Sequence, residues 1–291
     1  MEHGGTVVTL EGRAVGALLP RLFPLLDGTR TVDELVTELG VPVAPAVEHA
    51  LSLLDANRLL LEGREAPRTE VGLRAGAAYA CAFGRRTTED AAVRRLEEAS
   101  VAIVGSGRSA TVVAAQLEEL GVGTVVGIPV DTDAGDAFVV AAPAAHEVSS
   151  LAELNARALA TGAAWLQLLP FDGRVTIAGP LFLPGGSACR TCFVTRRGAC
   201  SGYEEDFDVV EREPHEARPP APLTAIAAGL AAIIALRWIA TGDPTLPGRF
   251  YAIESGAVLR LTHAHALRVP RCRACGAPER AVPSPWFEES S

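Results

Sequence analysis

Residues 96–130 read LEEASVAIVGSGRSATVVAAQLEELGVGTVVGIPV. Val101–Val104 is an unbroken apolar run, the pattern of a strand buried on both faces. It ends in Gly105-Ser106-Gly107-Arg108-Ser109-Ala110. Small residues there let the chain turn tightly and bring a helix close to the strand. Ala110–Leu120 then reads as a helix and Thr124–Val130 as a second strand. Strand, glycine loop, helix, strand is the opening unit of a doubly wound sheet. Upstream, Thr88–Ala99 predicts an amphipathic helix feeding the first strand. Downstream, strands are expected at Ala137–Ala142, Trp165–Leu169 and Arg174–Ala178, helices at Ala152–Thr161 and Leu223–Ala240, and one or two closing strands within 250–262. Such alternation predicts an α/β sheet with helices on both faces.

Composition supports this. The chain has 291 residues, 48% of them hydrophobic and 5% aromatic. That is enough for two domains with cores of small aliphatic side chains. The formal charge is −9. An acidic surface repels phosphate backbones, so no nucleic-acid partner is expected. The sequence contains no lysine, so all 26 Lys-plus-Arg residues are arginine. The first residues lack the pattern of a signal peptide. Ala221–Ala240 approaches the length of a membrane span, but it holds Arg237 and Pro222 and is rich in alanine, so it reads as a buried core helix. The expected location is the cytoplasm, with no membrane contact. Six cysteines in that compartment suggest metal or chemistry more than disulfides.

Two C-x2-C pairs stand out, Cys189/Cys192 and Cys272/Cys275. Each places two sulfurs on a tight turn, and two such turns complete a tetrahedron that suits zinc. Four thiolates leave no open coordination position, so the metal would be structural and would staple distant parts of the chain. Glycines flanking the pairs suit turns whose N–H groups face sulfur. Redox pairs are the alternative, and His263 and His265 are rival ligands, since residues i and i+2 share a strand face. Cys81 and Cys200 read as spare cysteines; Cys200 lies near Arg196 and Arg197, but nothing fixes a geometry that would activate it.

The first sixty residues read as strand, three short helices, strand: Thr6–Leu10, Ala14–Leu26, a helix after Thr31, Pro45–Asn57, and Leu59–Leu61. Thr31 and Glu34 form a capping box. The pattern is that of a winged helix. The expected boundaries are a winged-helix domain at 1–62, a linker at 63–84 with a loose helix within 63–82, the α/β domain at 85–280 and a flexible tail at 281–291. The charged stretch Glu204–Arg218 reads as a solvated crossover loop or a docking patch.

The runs LEEASVAIVGSGRSA, LNARALATGAAWLQLLPFDGRVTIAGPLFLPGGSACRTC, TAIAAGLAAIIALRWIATG and LRVPRCRACG together resemble an E1/ThiF-like domain over about residues 85–277. The N-terminal part, above all LLDGTRTVDELVTEL, resembles the PqqD-like RiPP recognition element. The combination is similar to the ThiF-like partners of YcaO azoline-forming cyclodehydratases. The resemblance implies a leader-peptide-binding scaffold that serves a YcaO-type enzyme in making thiazole or oxazole peptides, with a homodimer as one assembly. An E1-type glycine loop would hold ATP, and acidic residues after the second strand would bind ribose and magnesium. Here Gly105, Gly107, Arg108, Ala110, Asp131 and Asp133 occupy those places. The segment DTDAGDAFVVAAP runs straight into the next strand, so the phosphate-handling helix and strand are missing, and the family's lysine has no counterpart. ATP is therefore not expected as a cofactor and no catalytic residue is assigned; the alternative is an ATP-dependent ThiF-type adenylyltransferase or sulfur-transfer enzyme. The implied binding mode is addition of a peptide strand beside Thr6, Val7, Val8, Thr9 and Leu10, facing His49, Leu53 and Arg58. Family members begin with a β-hairpin before that strand, which this sequence starts too late to hold.

Overall fold

The computed structural model describes residues 2–3, 6–7, 12, 15–27, 29–57, 59–60, 68–83, 87–212, 214 and 217–276. The chain divides into two compact units, Met1–Pro67 and Arg68–Ser291.

In the first unit, β1 (Glu2–His3) pairs antiparallel with β2 (Thr6–Val7), with Glu2 opposite Val7 and His3 opposite Thr6. A strand thus precedes Thr6, where none was expected. Three helices follow: α1 (Val15–Leu22), α2 (Val32–Leu39) and α3 (Ala44–Ala56). The apolar stretch expected as one helix stops at Leu22 and closes in a 3-10 turn at Phe23–Leu25. Pro24 there has no N–H to continue an α-helix. The capping box before α2 is present. The Thr31 hydroxyl accepts from the Glu34 N–H at 3.3 Å, and the Glu34 carboxylate accepts from the Thr31 N–H at 2.7 Å. Leu18, Leu19, Leu22, Leu35, Leu39 and Val47 form the core of this unit. Leu59 and Leu60, expected to open a strand, form none. The Leu59 N–H instead donates to the Leu54 carbonyl at 2.8 Å and closes the end of α3.

The second unit begins with α4 (Arg68–Phe83) and α5 (Glu89–Glu98). The loose helix expected within the linker takes up most of that stretch. Leu73, Ala77 and Ala80 of α4 are buried in the main core, because small residues at helical spacing give this segment an apolar face. Next come β3 (Ser100–Val104), α6 (Arg108–Glu119), β4 (Thr124–Ile128), β5 (Phe138–Ala141), a 3-10 turn at Ala145–Ser150, α7 (Leu151–Thr161), β6 (Trp165–Leu169) and β7 (Val175–Phe182). The chain continues through α8 (Arg190–Ala199), α9 (Glu204–Arg212), α10 (Ala221–Thr241), β8 (Arg249–Glu254) and β9 (Arg260–His265). The sheet has seven strands in the order β4-β3-β5-β6-β7-β8-β9. Pairings from β4 to β6 are parallel, and those from β6 to β9 antiparallel.

Strand alternation sorts side chains onto two faces. Val101 and Ile103 of β3 join α4, α5, α6 and α10 in one core, while Ala102 and Val104 join the core holding α7, α8 and the paired cysteines. Helix α10 is long and apolar enough to cross a membrane. Yet it packs against α4, α5, α6, β6 and β7, and Ala227, Ala228, Ala231, Ile234 and Ala235 are buried. A helix apolar on all sides suits such a central position. Strand β7 outruns the expected 174–178, because Leu181 and Phe182 pair with Leu166 and Trp165 across Gly179-Pro180.

Candidate metal centre and glycine loop

Cys189 caps the N-terminus of α8 and Cys192 lies in its first turn. Cys272 and Cys275 follow Arg271, whose backbone is left-handed (φ 58°). All four sulfurs lie within 4.8 Å of one another. Three separations are 3.8 Å (Cys189–Cys192), 3.7 Å (Cys189–Cys272) and 3.5 Å (Cys192–Cys275). A tetrahedron with zinc–sulfur bonds of about 2.3 Å has edges of about 3.8 Å. The sulfurs could therefore hold a metal ion of that size. Backbone N–H groups point at the sulfurs, as the flanking turns predict. The Val269 N–H donates to Cys192 Sγ at 3.3 Å. At Cys272 burial opposes ionisation, but the N–H groups of Cys275 and Ala274 bring the thiol down to about 7. Burial pushes the Cys189 and Cys275 thiols up. Gly276 is required: a Cβ there would lie 2.5 Å from the Cys272 carbonyl oxygen. His263 and His265 sit on exposed β9, outside the cluster.

Buried surroundings fix this centre. Trp165 stacks on Phe182 at 4.6 Å, and Phe193 meets Phe182 and Phe250 at 6.4 and 5.2 Å. The Arg190 N–H donates to Asn155 Oδ1 at 2.9 Å. The Arg190 guanidinium donates to Glu211 at 2.9 Å, and Arg197 reaches the same carboxylate at 2.7 Å. Glu211 belongs to α9, and Phe207 of α9 is buried. The charged stretch after Glu204 is thus not a solvated loop at its start. Phe207 and Glu211 hold it to α8, a signal that charge counting hides. Cys200 is exposed at the end of α8, and Cys81 is half-buried in α4.

The glycine loop joins β3 to α6. Gly105 has φ 109°, and a Cβ on it would lie 2.8 Å from Pro143 Cα. A Cβ on Gly107 would lie 2.6 Å from the Pro143 oxygen. Both glycines are needed for packing against the strand next door. Three of the loop's N–H groups are already engaged: Gly105 donates to Ile128 at 3.2 Å, Gly107 to Ala142 at 3.2 Å, and Ser106 to the Glu147 carboxylate at 2.8 Å. Ala110 is buried on α6. Arg108 is exposed and, with Ser106, Ser109, Phe171 and Arg218, lines a cavity of about 350 Å³. Asp131 and Asp133 lie exposed on the connection after β4. That connection, residues 129–137, contains no helix and passes directly from β4 to β5. Sequence reading missed Glu147, since its partners are backbone groups that carry no pattern.

Of the expected peptide-binding residues, Thr6 and Val7 form β2. His49 and Leu53 lie one turn apart on α3 and are exposed. Val8, Thr9, Leu10 and Arg58 lie outside the described residues, as does the tail at 281–291.

Several solved structures share this fold. A heterocyclase in complex with substrate and cofactor is 22% identical, with a TM-score of 0.60 over 89% of this chain and 35% of its own. The heterocyclase TruD is 23% identical, with a TM-score of 0.55 over 88% of this chain and 38% of its own. MccB from E. coli, solved with ATP, is 16% identical, with a TM-score of 0.54 over 79% and 81%. At these identities the likeness concerns the fold. The chain spans little more than a third of the two heterocyclases. No family model and no curated relative matches it.

Proposed function

We propose that this chain is a non-catalytic scaffold of RiPP biosynthesis that holds a precursor peptide by its leader and presents it to a YcaO-type cyclodehydratase. The observation that carries the loss of ATP chemistry is the direct connection from β4 to β5, together with the engaged N–H groups of Gly105, Ser106 and Gly107. Phosphoryl chemistry depends on several positive groups set around the phosphates, and the segment that would carry them is absent. Support for a peptide ligand comes from the fold shared with heterocyclases, one of them solved with its substrate. The hairpin and three helices of the first unit suit a PqqD-like recognition element. A leader would add a strand at Thr6–Leu10, with His49, Leu53 and Arg58 of the α3 region choosing its side chains. Holding the leader raises the effective concentration of the core peptide at the partner enzyme. The four cysteines hold zinc, which has a structural role. The working location is the cytoplasm, and the assembly is the complex with the YcaO-type enzyme, with a homodimer as a further arrangement.

The test is titration of a labelled precursor peptide against the full chain and against a chain lacking residues 1–62. Equal affinity in the two would end the reading. A second reading, ATP-dependent adenylation, is favoured by one observation, the arginine-lined cavity beside the glycine loop. Calorimetry with magnesium and ATP separates the two.

A further inference from the structure

The glycine loop contains its own anion. Glu147 sits in the 3-10 turn after β5. One of its carboxylate oxygens accepts from the Ser106 N–H at 2.8 Å and from the Ala144 N–H at 2.7 Å. Charged acceptors on backbone N–H groups form the stronger class of hydrogen bond. Burial opposes ionisation of this carboxyl, yet those donors hold it below the ordinary carboxylate range, so it stays charged at neutral pH. Two neighbouring loop donors are also spent, Gly105 on Ile128 and Gly107 on Ala142. A phosphate at such a loop binds through backbone N–H groups of the loop and the helix N-terminus. Here it would have to displace bonds already made and approach a fixed negative charge. The adjoining cavity is otherwise suited to an anion, since Arg108 and Arg218 line it.

We propose that Glu147 is a specificity residue that closes the glycine loop to phosphorylated ligands by holding the Ser106 and Ala144 N–H groups itself. The assignment stands apart from the peptide-scaffold reading and survives its failure.

The experiment compares the parent chain with Glu147→Gln and Glu147→Ala, each checked for native circular dichroism, by calorimetry with inorganic pyrophosphate and with magnesium and ATP. Removing one like charge and freeing two donors should tighten pyrophosphate binding by about tenfold or more in the alanine variant. The glutamine variant, which keeps the shape and loses the charge, should gain part of that. Glu153→Gln removes the same charge from an exposed site on α7 and should gain nothing. No gain in a folded Glu147 variant overturns the proposal. So does an equal gain in Glu153→Gln, or a parent chain that already binds pyrophosphate as tightly as its variants. If the alanine variant does not fold, the glutamine variant alone decides by the same criterion.

Discussion

Replacing Glu211 by alanine should destabilise the larger unit by about 3 kcal/mol, the lower end of the range for breaking a buried ion pair. The size follows from what is left behind. Arg190 is 9% exposed and Glu211 is 11% exposed at the side chain. Burial pulls the Arg190 pKa down, and Glu211 is the charge that offsets it. Without Glu211, the Arg190 guanidinium keeps, among the described residues, only the Val148 carbonyl, at 3.4 Å. Its Nε is already without a partner. Arg197 is 28% exposed, so its half of the network adds little, as exposed pairs do. For a domain of this size each kcal/mol moves Tm by about 2–4 °C, which puts the expected fall near ~9 °C. Thermal and urea unfolding would measure it, with Arg190→Met and the double variant completing a cycle. In the Arg190→Met background Glu211→Ala should cost far less, since the stranded cation is gone. A loss under about 0.5 kcal/mol, ordinary for exposed sites, would refute the reasoning. It would mean that α9 lies loosely on α8 and that its charged segment is solvated after all.

Three further outcomes are expected. Cys272→Ser should drop bound zinc from near one ion per chain to a small fraction on elemental analysis, and chelation of the parent should lower its Tm. Gly123→Ala places a Cβ 1.8 Å from the Glu97 carbonyl oxygen and should cost about 3 kcal/mol or more in urea unfolding; Gly127→Ala meets nothing within 4 Å and should be neutral or stabilising by about 0.5 kcal/mol. Burial opposes ionisation of Asp243, but the Thr245 N–H and hydroxyl and Arg237 hold its pKa below the ordinary 3.8. Its folded pKa lies under its unfolded one, so its contribution is full above about pH 4 and is lost as pH falls through the folded value. The stability gap between the parent and Asp243→Asn should therefore shrink in acid, and a gap that widens there would refute the assignment.

How much of this was legible in the sequence depended on whether a signal was local. Val101–Val104, the loop after it and the strand at 124 carry their pattern within a few residues, so the opening of the sheet is plain. The two C-x2-C pairs are equally local, and the fold brings their sulfurs within 4.8 Å although some eighty residues separate them. The connection at 129–137 was readable because too few residues remain there for a helix. Helix α4 was legible only as a loose helix because alanine and glycine give a weak hydrophobic period, and contact with α5, α6 and α10 shows which face is buried. Leu59–Leu61 looked like a strand because three leucines satisfy that pattern; Leu61 lies outside the described residues, and Leu59, which a strand would need to pair, donates to Leu54 instead. Glu147 and Glu211 are the deeper case. Each is one acid among 35 Asp and Glu residues, and nothing beside either in sequence sets it apart. Their roles come from groups 21 to 41 residues distant: a buried guanidinium for one and a loop N–H for the other. Residues that decide what this chain refuses to bind, and what keeps its cysteine helix in place, are thus made by tertiary proximity. A motif search passes over them, and only the hydrogen-bond partners of each acid reveal them.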